Sequence, residues 1–341
     1  MAASFGENAK PLVSPYVAFE ESNGDVDVVT PDATFSYSGF GARIMSGLKE
    51  SLDGNNRVSE LATRIGVSGS KINEAIAVLA EDAYLIDLAA LEETQSSEFF
   101  DAYFEACKFW AKEIFLQPFW DVLLSGKASR SLILGWGIEF FHYANSANEH
   151  MPASVAYCRT DKATRRLLSH HYLEEHDHGE MFLAGLEACG ISRSSVIEAP
   201  PIASTRALIH FLSELAVGEP AAYMSAFGIM QAPTANRPKG SFNNFYDRLE
   251  RLYPSEKGLF DALKKHAATD DELGHEITLL KRFIAKEETI NPERRQKILD
   301  AARATVEYFV LYFEGILDYY STPGVMVPRR ALDIRTVLQD A

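Results

Sequence analysis

The sequence predicts a mainly α-helical protein, in which a small α+β domain precedes a helical bundle. Two patterns predict this order. Short runs that alternate apolar and polar residues fill the first part of the chain, and from Glu98 to about Tyr320 apolar residues recur every three or four positions. Hydrophobic residues make up 47% of the 341 residues, so the chain can bury a large core.

The first domain is expected at residues 12–92. Strand-like runs lie at Tyr16 to Phe19, Val26 to Val29, Thr34 to Tyr37 and Tyr84 to Leu88. Between the last two come three short helices, and their segment VSELATRIGVSGSKINEAIAVLAEDAYLID resembles both winged helices and PqqD-like peptide-recognition modules. We therefore expect a winged-helix-like domain that caps the bundle or recognises a peptide.

The second domain is expected at residues 95–325 as a bundle of about seven helices. Turn-forming residues separate its predicted helices. These residues lie at Asn148 to Pro152, Gly190 to Ser194, Pro200-Pro201, Pro233 to Gly240 and Asn291-Pro292.

Charge and cysteine content exclude several classes of partner. The net charge of −15 repels phosphate backbones and anionic lipid, so we expect neither nucleic acid nor membrane as a partner. Three widely spaced cysteines indicate neither a disulfide framework nor a cysteine-based zinc site. The N-terminal residues lack the pattern of a signal peptide, so a cytoplasmic location is expected.

Histidines and carboxylates at helical spacing form the first candidate site. One helical stripe comprises Leu168, His171, Glu175, His178, Phe182, Gly185 and Cys189. The polar side chains in its middle have to be paired or bound to a metal. Glu175 and His178 have the Glu-x-x-His spacing of metal-binding bundles, and Glu174 is the alternative carboxylate. A solvated, histidine-rich face is the competing interpretation, and it suits His176 and Asp177 better.

Two further carboxylates are candidate ligands. Glu139 and His142 repeat the Glu-x-x-His spacing one helix earlier. Glu219 falls on the apolar seam of a predicted helix, where an unpaired carboxylate is rare. Glu214 is the alternative to Glu219, and a buried salt bridge is the competing interpretation.

The last cluster is the segment HAATDDELGHE, residues 266–276. His266 and Asp270 share an inward-facing seam, and the neighbouring carboxylates Asp271 and Glu272 compete with Asp270. His275 lies nine residues after His266, on the opposite face of a regular helix. It can be a ligand only if the helix bulges between them.

The order of these clusters resembles that of the heme-oxygenase-like di-iron oxidases, relatives of the TenA and PqqC families. The resemblance implies a seven-helix heme-oxygenase-like bundle without heme that binds two ferrous ions and reacts with dioxygen. It implies the ligands Glu139, Glu175, His178, Glu219, His266, Asp270 and His275. Members oxidise amines, cleave C–C bonds or hydroxylate small substrates such as amino acids. The last histidine of the family pattern falls on Leu273 here, which leaves the second metal incomplete unless His275 replaces it.

Three other interpretations compete with the di-iron oxidase. A metal-free TenA-like or PqqC-like enzyme would use a cysteine nucleophile or a basic pocket. A heme oxygenase would need one axial histidine and leaves the carboxylates unexplained. A helical binding protein with an N-terminal recognition module would have no catalytic metal. We expect a small-molecule or peptide-borne substrate, and a homodimer is compatible with the sequence.

Overall fold

The structure is a computed structural model, which describes residues 5–232, 240, 242–273 and 279–330, without the side chains of residues 270–273. Contacts divide the chain into two compact units. The N-terminal unit comprises Met1–Lys112 and Ile284–Gln296, and the bundle unit comprises Glu113–Phe283 and Lys297–Ala341.

Five strands form two small antiparallel sheets in the N-terminal unit. They are β1 (Pro11–Val13), β2 (Ala18–Ser22), β3 (Asp25–Val29), β4 (Thr34–Tyr37) and β5 (Leu85–Asp87). Strand β1 pairs with β5, and β2, β3 and β4 form a meander in which Val28 faces Phe19 and Phe35. Asn23 and Gly24 turn the chain between β2 and β3 at positive φ, as the predicted turn requires.

Three helices follow the meander: α1 (Gly39–Leu48), α2 (Val58–Ile65) and α3 (Gly69–Glu81). Their apolar faces, including Leu61, Ile72 and Leu79, pack with Val28 into one buried core. The predicted helices and strands are therefore present, although the first predicted strand, Tyr16 to Phe19, is shifted to Ala18–Ser22, and strand β1 was not predicted. Lys71 of α3 pairs with Glu74 at 2.6 Å, so the helix presents little free positive charge. The winged-helix or PqqD-like identity of the unit stays a prediction.

The rest of the described chain is helical, as predicted. The helices are α4 (Ser96–Phe115), α5 (Pro118–Leu124), α6 (Arg130–Asn145), α7 (Ala147–Tyr157), α8 (Lys162–Glu175), α9 (His178–Ala188), α10 (Arg193–Glu198), α11 (Ala203–Val217), α12 (Pro220–Gln231), α13 (Asn243–Leu252), α14 (Lys257–Leu273), α15 (Leu279–Ile284) and α16 (Pro292–Ser321). Among the described residues, no helix is both long and apolar enough to cross a membrane.

These helices are more numerous and shorter than the seven helices that the sequence predicted. The reason is that short non-helical segments interrupt regions that were expected to form continuous helices. His176 and Asp177 separate α8 from α9. Gly218 and Glu219 separate α11 from α12, and Pro220 is the first residue of α12. Proline restricts the residue before it to an extended backbone, and Glu219 accordingly has φ −80° and ψ 124°.

Helices α9 and α14 cross at very short range because small residues face each other. A Cβ atom added to Gly185 would lie 2.6 Å from the Cβ of Ala262 and 2.9 Å from the carbonyl oxygen of Gly258. A Cβ atom added to Gly258 would lie 2.6 Å from the Cβ of Ala188. The two backbones are therefore in contact, which leaves no room for a larger residue at either glycine.

We predict that Gly185→Ala lowers the free energy of unfolding of the bundle unit by about 1–3 kcal/mol, because the added methyl group overpacks this crossing. Denaturant unfolding measures the effect. Gly69→Ala is the control, since its Cβ atom would meet only Val58, at an ordinary 3.6 Å. A Gly185→Ala protein as stable as the control variant would contradict the close crossing.

Candidate metal centre

Three of the predicted ligands converge in the bundle unit. One ligand atom each of Glu175, His178 and His266 lies within 4.8 Å of the other two. Among the residues that the structure describes, this is the one cluster of histidine, cysteine and carboxylate groups that fits a metal ion. Glu175 Oε2 lies 2.7 Å from His178 Nδ1, and the rings of His178 and His266 have centroids 4.6 Å apart.

The break between α8 and α9 shapes the first half of this site. Glu175 is the last residue of α8 and His178 is the first residue of α9. The predicted stripe persists across the break, since Leu168, His171, His178 and Phe182 are all buried. His176 and Asp177, assigned to solvent by the sequence, are exposed as predicted.

Helix α14 contributes the second half of the site through His266. Two phenylalanine rings pack on its imidazole, Phe140 edge-on at 6.1 Å and Phe182 at 5.2 Å. Burial and, to a smaller extent, the imidazole of His178 lower the pKa of His266 to about 4, although the carboxylate of Glu175 opposes both. His266 is therefore neutral at pH 7, which is the form that binds a metal ion.

A second layer of aromatic and imidazole groups lies next to this cluster. Nδ1 of His150 lies 2.7 Å from the hydroxyl group of Tyr223, and both side chains are buried. Phe227 packs against the rings of Tyr223 and His171, with centroids 5.2 and 5.0 Å away. Burial lowers the pKa of His150 to about 4 and raises that of Tyr223, and the carboxylate of Glu175 lies near enough to act electrostatically on both groups.

His150 was missed because the sequence suggested a turn at Asn148 to Pro152. That prediction is wrong, because these residues belong to α7, with Pro152 inside the helix. The buried residues Ala147, His150, Met151 and Ser154 recur at helical spacing. This period was the signal that could have identified both the helix and its inward-facing histidine.

Glu139 and His142 lie apart from the cluster. Glu139 is fully buried on α6, and it accepts hydrogen bonds from the Tyr320 hydroxyl group at 2.6 Å and from the Ile202 backbone at 3.2 Å. His142 interacts with the backbone of Ala199. The neighbouring side chain, Phe140, faces His266 instead, because successive residues of a helix point about 100° apart.

Glu219 does not occupy the helix interior that the sequence suggested. It is the N-cap of α12, where its Oε2 atom accepts a hydrogen bond from the backbone of Ala222 at 2.9 Å. The Gly218-Glu219-Pro220 triplet was the signal for this break. The alternative carboxylate, Glu214, is exposed on α11.

The remaining candidates divide into two groups. Glu174 pairs with the exposed His170 at 2.9 Å, and it lies 3.9 Å from the buried His171. The side chains of Asp270, Asp271 and Glu272 and the whole of His275 lie outside the described part of the chain. Their proposed roles as ligands therefore stay predictions.

Comparisons with known proteins identify the family. A family described as an iron-containing redox enzyme matches residues 136–310, which is just over half of the chain. The chain belongs to this family. No curated protein matched the sequence.

Two solved structures resemble the protein. One is a domain of unknown function with a heme oxygenase-like fold from Shewanella denitrificans, with 16% identity, a TM-score of 0.49, and coverage of 65% of this chain and 94% of that one. The other is a TenA homolog from Pseudomonas syringae pv. tomato. Its sequence is 14% identical and its TM-score is 0.50, and the match covers 67% of this chain and 95% of that one. The helical fold of the protein is heme-oxygenase-like, as the sequence resemblance implied.

The clustered side chains fit an iron ion. Two imidazoles and one carboxylate are the ligand set of many non-heme ferrous sites, and such a set leaves coordination positions open. His178 is 1% exposed and packs against His266, so both imidazoles are held by the surrounding core. Glu175 supplies the negative charge that a buried cation requires.

We predict that Glu175→Ala, His178→Ala and His266→Ala each weaken ferrous iron binding by at least about tenfold, since removal of one ligand or its supporting group typically costs that much. Competition with a chelator under anaerobic conditions measures the affinity. Glu174→Ala is the matched control and should bind iron more tightly than Glu175→Ala. Equal affinities in the two glutamate variants would show that the wrong carboxylate has been assigned.

We predict that His142 makes the protein sensitive to acid. Burial lowers its pKa from 6.5 to about 4 in the folded chain, so below pH 6.5 the unfolded chain binds a proton that the folded chain does not. Stability is therefore lost as the pH falls from 6.5 towards 4, by about 2 kcal/mol at pH 5. Denaturant unfolding at pH 7 and pH 5 should show a smaller loss for His142→Gln, and an equal loss in both proteins would contradict the assignment.

Proposed function

We propose that the protein is a non-heme iron oxidase or oxygenase that uses dioxygen to oxidise a small substrate, such as an amino-acid-like natural product. The observation that carries the proposal is the convergence of Glu175, His178 and His266 within a family of iron-containing redox enzymes. Ferrous iron at this position would supply the binding and reduction of dioxygen, which no side chain provides.

The protein's own side chains have three tasks in this proposal. Glu175, His178 and His266 would hold the iron and fix the positions that stay open to oxygen and substrate. Phe140 and Phe182 pack on His266 and keep water away from that side of the imidazole. Tyr223 and His150 form a buried hydrogen-bonded pair beside Glu175, through which a proton could be exchanged with the site.

We propose two iron ions in each chain, as the resemblance to the di-iron oxidases implies. Asp270 is a predicted ligand one turn after His266, and His275 is a second. Glu219 remains a candidate from the start of α12. We leave Glu139 out of this ligand set, because its carboxylate already binds Tyr320 and Ile202 on another face of α6.

A TenA-like hydrolase with a cysteine nucleophile is the main alternative, and the cysteines argue against it. All three are buried. Burial raises the pKa of Cys107 to about 12 and also raises that of Cys189, so both thiols stay protonated and unreactive at neutral pH. Among the described residues, the hydrogen-bond partner of the Cys158 sulfur is the hydroxyl group of Thr160, at 3.2 Å. A hydroxyl group is not a base that could activate a thiol.

Anaerobic loading with ferrous iron, followed by exposure to oxygen, tests the function. We expect about two ferrous ions per chain, a transient visible absorption and rapid oxygen uptake, whereas His266→Ala should take up almost no oxygen. His170→Ala is the control, because its side chain is 68% exposed and points to solvent on α8. Oxygen uptake that is the same with and without His266 would refute the proposed centre.

A further inference from the structure

An open surface pocket of about 370 Å³ lies elsewhere in the bundle unit. It is lined by Pro201, Ala203, Arg206, Ala207, His210 and Arg329. None of these residues belongs to the candidate metal centre or to its aromatic surroundings. The volume suits a small metabolite, since sites for small molecules begin at about 300 Å³.

One wall of the pocket is the first half of helix α11. The four lining residues of this helix, from Ala203 to His210, follow one another at intervals of three, one and three, which places them on one helix face. Arg206 and His210 therefore lie one turn apart on the same wall.

Arg329 also lines the pocket, and two contacts hold its side chain. Its Nη1 atom donates a hydrogen bond to the carbonyl oxygen of Pro201 at 3.0 Å, and its guanidinium group lies 5.4 Å from the ring centre of Tyr319. An arginine side chain carries five N–H donors, and among the described residues the carbonyl oxygen of Pro201 is the one hydrogen-bond acceptor of Arg329. This fixed orientation lowers the entropic cost of binding an anion.

Two guanidinium groups make the lining of the pocket basic, and the nearby buried carboxylate of Glu139 acts electrostatically on one of them, that of Arg329. Within the described part of the chain, no carboxylate lies within 4 Å of the guanidinium group of either Arg206 or Arg329. Arg206 acts electrostatically on the nearby His142, lowering its pKa. Two arginines around one pocket are unexpected in a chain with a net charge of −15, because most of its surface repels anions.

One edge of the pocket is tied to the core of the bundle. Between the lining residues Pro201 and Ala203, the backbone of Ile202 donates a hydrogen bond to the buried carboxylate of Glu139, which also binds Tyr320. This network ties the start of α11 to α6 and α16. The network therefore fixes the backbone from which Arg206 extends, one turn into α11.

We propose that this pocket is a binding site for a small anionic metabolite, whose phosphate or carboxylate group lies between Arg206 and Arg329. Guanidinium groups bind both kinds of anion through paired, charge-assisted hydrogen bonds. His210, one turn beyond Arg206, adds a further donor on the same wall. The site is independent of iron, because it shares no residue with the metal centre.

Isothermal titration of the full chain without added metal, at physiological salt, tests the proposal with inorganic phosphate and with succinate as probes. We expect saturable binding of at least one probe, with one site per chain. Arg206→Gln should weaken that binding by about tenfold or more, because a charge-assisted hydrogen bond contributes about 1.5–3 kcal/mol. Arg206 is exposed, so this substitution should leave the fold intact.

Arg166→Gln is the matched control, since it removes one exposed positive charge from α8, away from the pocket. This control should bind the probe as tightly as the unmodified protein does. The double variant that carries both Arg206→Gln and Arg329→Gln should not bind the probe. Binding of phosphate alone would identify a phosphate ligand, and binding of succinate alone a carboxylate ligand. No saturable binding of either probe to the unmodified chain, or equal affinities in Arg206→Gln and Arg166→Gln, would overturn the proposal.

Discussion

The close crossing of helices α9 and α14 is the constraint on which the candidate metal centre depends. Gly185 and Gly258 bring the two backbones into contact. His178 lies seven residues before Gly185, and His266 lies eight residues after Gly258, so the two helices run antiparallel with each histidine about two turns from the crossing. Because the two distances along the helices match, the imidazole rings meet at 4.6 Å. A wider crossing would separate them.

Helix α6 joins this centre to the rest of the bundle through two neighbouring residues. Phe140 packs on Phe182 and His266, while Glu139 accepts hydrogen bonds from Tyr320 and Ile202. Desolvation raises the pKa of the buried Glu139, and the hydrogen bonds to its carboxylate oppose that effect. The helix therefore has an apolar contact on the side of the metal centre and a polar network on the side of the arginine-lined pocket.

The sequence predicted the parts of the protein that depend on local periodicity. The stripe through Leu168, His178 and Phe182 is buried as expected, and Glu-x-x-His spacing correctly brought Glu175 and His178 together. The same spacing at Glu139 and His142 did not place them in this cluster, because spacing shows which residues share a face but not what that face packs against. Only the tertiary arrangement places Tyr320, from the far end of the chain, against Glu139.

The positions at which helices end were the second feature that the sequence did not predict correctly. A proline inside α7 was read as a turn and concealed His150, whereas the proline at the start of α12 was overlooked and left Glu219 in a helix interior. Proline is compatible with the first turn of a helix, and neighbouring packing decides whether it is tolerated further on. The convergence of His266 with Glu175 and His178 depends on contacts between residues about ninety positions apart, which no local pattern encodes.

Iron anomalous diffraction from crystals grown anaerobically with ferrous iron would test the central claim most directly. It locates the metal without reference to activity or substrate. We expect an anomalous peak within bonding distance of side-chain atoms of Glu175, His178 and His266. A peak at another group of residues, or no ordered iron beside these three at saturating metal, would contradict the assignment of this centre.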